Sequence, residues 1–101
     1  MLSDDLQQLF SLEGKTALVT GGGTGLGRIM TETLVNAGAK VLICSRKFAN
    51  VKQTSDEINE VIDKELVTPF EGDISSEDGI SKIHQEIKSR TNNLNILINN
   101  S

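Results

Sequence analysis

Along this chain, short runs of consecutive apolar residues alternate with longer segments whose apolar positions recur at helical spacing. That alternation marks strands joined by crossover helices, and hence a parallel sheet. It predicts a first strand over Thr16–Thr20 and a helix from Gly25 to Asn36. In that helix Leu26, Ile29, Met30, Thr33, Leu34 and Ala37 share one face, and Gly38 follows as its terminator. A second strand is expected at Val41–Cys44, continuous and apolar as a strand covered on both faces must be. The next helix spans Asn50–Lys64, with Asn50 as N-cap and Val51, Ile58, Val61 and Ile62 inward. A third strand, Leu66–Glu71, contains the single proline, Pro69, whose missing N–H suits a sheet edge. Ser75 or Ser76 caps a helix running to Arg90 with Ile80, Ile83 and Ile87 as its stripe, and Leu94–Asn99 forms a fourth strand. The strand order 3-2-1-4 puts Pro69 on an edge, so the expected fold is α/β, a Rossmann-type doubly wound parallel sheet. It is expected to be partial, truncated after the fourth strand.

Composition narrows the function. At 101 residues one compact domain is expected. A net charge of −4 with scattered lysines and arginines offers no footprint for nucleic acid. No apolar run approaches the roughly 18 residues of a membrane span. The acidic start Met1–Phe10 lacks a basic segment followed by an apolar one, so a cytoplasmic protein is expected. Cys44 is the sole cysteine, which excludes a disulfide framework; it is either a small buried strand residue or a reactive thiol. His84 borders an apolar helix stripe and is expected to be a partly exposed helix residue without chemistry. No metal site is expected.

Between the first strand and the first helix lies Thr20-Gly21-Gly22-Gly23-Thr24-Gly25-Leu26-Gly27. A glycine turn that opens a helix offers main-chain N–H groups and the positive helix end to a phosphate. The P-loop pattern fails, because Arg28 and Ile29 stand where it needs lysine and a hydroxyl; NTP hydrolysis is therefore not expected. The GxGxxG fingerprint fails in every register, since Leu26 or Arg28 falls on a required glycine. The spacing that fits is Thr-Gly-x-x-x-Gly-x-Gly, with Gly21, Gly25 and Gly27 as its glycines. Gly23, Thr24 and Leu26 complete the candidate loop, Leu26 offering its N–H to a phosphate and its side chain to the core.

On these residues the chain resembles the short-chain dehydrogenase/reductase family. Gly14–Gly21 matches the family's opening, Gly72-Asp73-Ile74 looks like its adenine-holding pair, and Ile96–Ser101 looks like the strand that leads into its Asn-Asn-Ala-Gly. The likeness covers residues 9–101. It implies that Asp73 accepts from the adenine amino group, that the backbone at Ile74 receives the ring edge, and that Asn100 flanks the cofactor where the strand order reverses. A plainer reading stands beside each: Asp73 as a turn residue before a helix, Asn99 and Asn100 as ties between strands.

The cofactor variant is read after the second strand. An NAD site usually carries a carboxylate roughly 20 residues beyond the glycines. Here the sequence is Cys44-Ser45-Arg46-Lys47, with no carboxylate between Glu32 and Asp56. Ser45 and Arg46 can instead hold a 2′-phosphate, which predicts NADP (NADPH); the alternative is a solvated Arg46–Lys47 pair. One departure is Thr24, where many NADP-specific relatives have arginine.

The family's Tyr-x-x-x-Lys catalytic pair is absent, as the chain contains no tyrosine, so no catalytic residue is assigned. The expected division is a lead-in over 1–13 and a dinucleotide-binding half-domain over 14–101. The resemblance implies an NADP-dependent oxidoreductase acting on a small carbonyl or alcohol, represented by its cofactor half and inactive alone. Within the family, Leu9–Gly14 and the end of the second strand look most like 3-oxoacyl-carrier-protein reductases of the rhamnolipid type. The alternative is a non-catalytic nucleotide-binding module. A response-regulator-like receiver is disfavoured, because the first strand ends without an acidic pair. Members of the family often form dimers or tetramers, so a homo-oligomer is implied for a longer form.

Overall fold

The computed structural model describes residues 10–100; residues 1–9 of the lead-in and Ser101 lie outside them. In chain order the elements are β1 (Thr16–Thr20), α1 (Gly25–Asn36), β2 (Lys40–Ser45), α2 (Phe48–Ile62), β3 (Val67–Glu71), α3 (Glu77–Arg90) and β4 (Ile96–Asn99). The strands form a parallel sheet in the order β3-β2-β1-β4. Its register pairs Thr20 with Cys44 and with Asn99, so those strand ends meet at the carboxyl edge of the sheet. Pro69 sits opposite Ile43 on the edge strand, where its missing donor costs no ladder bond.

Two cores clothe the sheet. Ala17, Val19, Val41 and Ile43 face α1 and α2 through Val35, Val51 and Ile58; Leu18, Leu42, Cys44 and Phe70 face α3 through Ile83. Leu12 packs on the first core and its N–H donates to the Ala37 carbonyl, so the last residues of the lead-in are part of the folded body.

The helix faces differ from those the apolar spacing predicts. In α1 the buried row is Gly27, Thr31 and Val35, while Leu26 and Ile29 are 57% and 60% exposed and Thr33 is exposed too. The close approach of Gly27 to the β1 turn fixes the helix rotation, and residues four and eight later follow it inward. In α2, Val61 is exposed and the buried face is Val51, Thr54, Ser55, Ile58 and Asn59. That helix begins at Phe48 with Lys47 as its N-cap, so Asn50 lies in the first turn and caps nothing. It ends at Ile62, before left-handed Asp63. In α3, Ile83 is buried, but Ile80 is exposed across a groove from exposed Leu97. Ser76, not Ser75, caps this helix by accepting from the Gly79 N–H at 3.0 Å.

The buried polar residues of α2 hold the sheet edge. Asn59 Oδ1 accepts from the Leu66 and Val67 N–H groups at 3.1 and 2.9 Å, and its Nδ2 donates to the Val67 carbonyl at 2.9 Å. Ser55 Oγ donates to the same carbonyl at 2.8 Å. One amide thus supplies the start of β3 with the partners a further strand would have given. Asn59→Ala leaves those buried groups unpaired and should cost about 2 kcal/mol in urea unfolding, with an unchanged dependence on denaturant.

Candidate functional site

The glycine turn between β1 and α1 combines three separate requirements. Gly21 adopts φ +66, a left-handed conformation that reverses the chain as it leaves the strand. A side chain at Gly27 would overlap the Gly21 carbonyl, so its absence lets the helix settle against the turn. Gly25 also has a positive φ, +54, yet a Cβ there would meet nothing within 4 Å. Space outside the protein therefore lies against the Gly25 backbone. Gly22 and Gly23 face inward, the first against Ile43 and the second against Asn50 and Val51, so packing accounts for both.

Among the described residues, no side chain caps the first turn of α1. Its N-cap, Thr24, is extended and makes no side-chain capping bond, and the turn carries no acidic residue. By contrast α3 is capped by Ser76 and carries Glu77 and Asp78 in its first turn. The N–H groups of a helix's first turn have no intrahelical acceptor, and the helix dipole places partial positive charge there. Thr24, Gly25 and Leu26 are all exposed, so an anion can reach them. The Leu26 side chain points away from the core, contrary to its expected place, while its backbone remains at the helix start.

A cleft of about 520 Å³ continues from this turn, lined by Thr20, Gly21, Cys44, Ser45, Arg46, Gly72, Asp73, Ile74 and Ser75. Residues expected at the cofactor from three separate loops are therefore brought together. Ser45 Oγ donates to the Lys47 carbonyl at 2.9 Å and accepts from the Lys47 N–H at 3.2 Å, so offering its proton to a phosphate requires this small turn to open. Arg46 is exposed. Asp73 Oδ1 accepts from the Ser75 hydroxyl at 2.6 Å and from its N–H at 2.9 Å. Those two bonds hold the Asp73 carboxyl below its ordinary range, and Arg46 adds a smaller pull. The turn expected of Asp73 is thus present, and its second oxygen is engaged by no described residue.

At the end of β4 the expected strand ties are formed. Thr20 Oγ1 donates to Asn99 Oδ1 at 3.0 Å and accepts from the Asn100 N–H at 3.0 Å. Asn100 Nδ2 donates to the Gly21 carbonyl at 3.3 Å. Asn100 therefore lies against the glycine turn and braces it. Thr20 opens the glycine spacing in the sequence, which assigns it no role; its place at the end of β1 is where such a brace is needed. Burial pushes the Cys44 thiol up to about 11, in keeping with the buried strand residue expected of it. His84 is exposed on α3.

Comparison with known proteins decides the family: the sequence matches the short chain dehydrogenase family over residues 15–101. The chain belongs to that family. It is 36% identical over 92 residues to the rhamnolipids biosynthesis 3-oxoacyl-[acyl-carrier-protein] reductase of Pseudomonas aeruginosa, across 91% of this chain and 35% of that protein. A solved Pseudomonas aeruginosa RhlG/NADP active-site complex superimposes at TM-score 0.84 with 35% identity, over 91% of this chain and 36% of that one. A 2-keto-3-deoxy-D-gluconate dehydrogenase from Streptococcus agalactiae superimposes at 0.83 with 29% identity, over 96% of this chain and 36% of the other. The chain spans about a third of the length of these short chain dehydrogenases. No helix among the described residues is long and apolar enough to cross a membrane.

Two outcomes test this geometry. Gly27→Ala should cost about 3 kcal/mol of stability, because the helix must lift off the turn. Gly25→Ala should cost about 1 kcal/mol, from backbone strain alone; calorimetry of the two variants ranks them. Separately, between pH 9.0 and about 11 the unfolded Cys44 thiol ionises while the folded one does not. Its contribution to stability should therefore fall as pH rises through that window. Thiol reagents at mildly alkaline pH should label the unfolded chain and spare the folded one.

Proposed function

We propose that the chain binds NADP(H) and forms the cofactor-holding part of a short-chain oxidoreductase that reduces a carbonyl to an alcohol. Residues 14–101 are its dinucleotide-binding half, residues 1–13 its lead-in, and the setting is cytoplasmic. The observation that carries the reading is the bare first turn of α1, uncapped and free of acidic residues, beside open space at Gly25. A cradle that a Cβ would narrow, with exposed N–H groups around it, fits a diphosphate.

Each group of residues then has a task. Gly21, Gly23, Thr24, Gly25, Leu26 and Gly27 form the diphosphate loop. Arg46 meets the 2′-phosphate as a charged fork of donors, and Ser45 shapes the turn that presents it. Asp73 and Ile74 take the adenine, Asp73 with the oxygen left unused by Ser75. Asn100 holds the glycine turn in place at the nicotinamide side. Bound there, a reduced nicotinamide supplies hydride to a carbonyl carbon. The proton for the carbonyl oxygen is assigned to no residue here, since the chain has no tyrosine.

Likeness to the Pseudomonas reductase supports a 3-oxoacyl thioester as the substrate. A second reading is a nucleotide-binding module without catalysis; nucleotide binding is common to both, and hydride transfer separates them. The first reading is tested by fluorescence titration with NADPH and NADH. NADPH should bind more tightly, and Arg46→Ala should weaken it roughly tenfold while leaving NADH unmoved. Equal affinities for the two nucleotides in the unaltered chain would refute the preference.

A further inference from the structure

The glycine turn is held from behind by a residue that no motif marks. Thr54, in the middle of α2 and 2% exposed, donates its hydroxyl to the Gly23 carbonyl at 2.6 Å. The two residues are 31 apart in sequence. Gly23 also lies so close to α2 that a Cβ on it would stand 3.2 Å from the Asn50 backbone and 3.3 Å from Val51. The turn thus rests on the α2 surface, and the Thr54 hydroxyl is the directional contact in an otherwise non-directional fit.

That contact has a consequence for the exposed side of the loop. The described peptides contain no cis bond, so a peptide's C=O and the following N–H point in opposite directions. Drawing the Gly23 carbonyl down onto Thr54 turns the Thr24 N–H away from α2. It also fixes the peptide plane that leads into Thr24, the N-cap of α1, whose first-turn N–H groups lack a side-chain cap. From the other side, Asn100 Nδ2 restrains the Gly21 carbonyl. Two of the loop's carbonyls are therefore anchored by side chains from distant elements, one on each flank. A loop anchored in this way is formed before ligand arrives and loses less freedom on binding.

We propose that Thr54 is a positioning residue for the phosphate loop: its buried hydroxyl presets the Gly23–Thr24 peptide for a diphosphate it never touches. The proposal rests on the cofactor reading above. It concerns the diphosphate end of the site and leaves the Arg46 and Asp73 end unaffected, and that separation makes it testable.

The experiment compares the unaltered chain with Thr54→Val, which keeps the branched shape and removes the donor, and Thr54→Ser, which keeps the donor and removes a methyl. Thr54→Ala replaces Thr54→Val should the latter fail to fold. Each is titrated with NADPH and with adenosine 2′-phosphate, which has the adenine and 2′-phosphate but no diphosphate. The variant lacking the donor should lose roughly tenfold in NADPH affinity, keep its affinity for adenosine 2′-phosphate, and Thr54→Ser should restore NADPH binding. Unchanged NADPH affinity without the hydroxyl overturns the proposal. So does an equal loss for both ligands, which would mean general loosening, or a Thr54→Ser variant as weak as the donor-free one. Should the unaltered chain bind neither ligand, the cofactor reading itself falls and this proposal with it.

Discussion

The contact on which the rest of the structure depends is the meeting of Gly27 with the backbone of Gly21. No other residue type fits there, because any side chain on Gly27 would occupy the space of the Gly21 carbonyl. Once the helix has settled against the turn, its rotation is determined, and Thr31 and Val35 become its buried row. The same approach brings the helix N-terminus to the carboxyl edge of the sheet, beside the end of β4. Fold and candidate site share this origin.

Around that contact the protein spends its buried polar side chains on main-chain groups. Thr54 restrains the Gly23 carbonyl, Thr31 donates back to the Gly27 carbonyl, and Asn59 with Ser55 completes the start of β3. Thr54, Ser55 and Asn59 satisfy backbone groups outside any helix, whereas Thr31 adds a second donor to a carbonyl that already accepts within α1. α2 is therefore more than a cover for the sheet: its inner face alternates apolar packing with fixed donors, one directed at the glycine turn and others at the sheet edge.

Much of this was legible in the sequence, because its signals were local. The bounds of β1 and α1 and the strand order follow from runs, glycines and a single proline. The helix faces follow the apolar spacing in part: Leu34, Val51, Ile58 and Ile62 pack on the first core, while Leu26, Ile29 and Val61 stay exposed for a physical reason. Apolar spacing in α1 favours Leu26 and Ile29, but the glycine contact outweighs that preference. In α2, Val51 and Ile58 lie seven residues apart, which places Thr54 and Ser55 between them on the inner face; reading those two as buried donors would have found the brace. The start of α2 was misplaced because Lys47 supplies no side-chain cap, whereas Asn50 looks like one. The cleft uniting Arg46 with Asp73 depends on parallel register, to which no short segment testifies.

The braces at Thr20 carry a consequence for the order of assembly. They join residues 79 and 80 positions apart, bridging the end of the first strand and the close of the fourth. Closing so long a loop costs entropy that nearby pairings do not, so such links form late. The α1 turn can sketch its outline as soon as β1 and α1 dock. It becomes rigid when the emerging β4 arrives to lock it. Rigidity of the glycine turn thus follows the docking of β4 on β1, the pairing that joins the strands farthest apart in the chain.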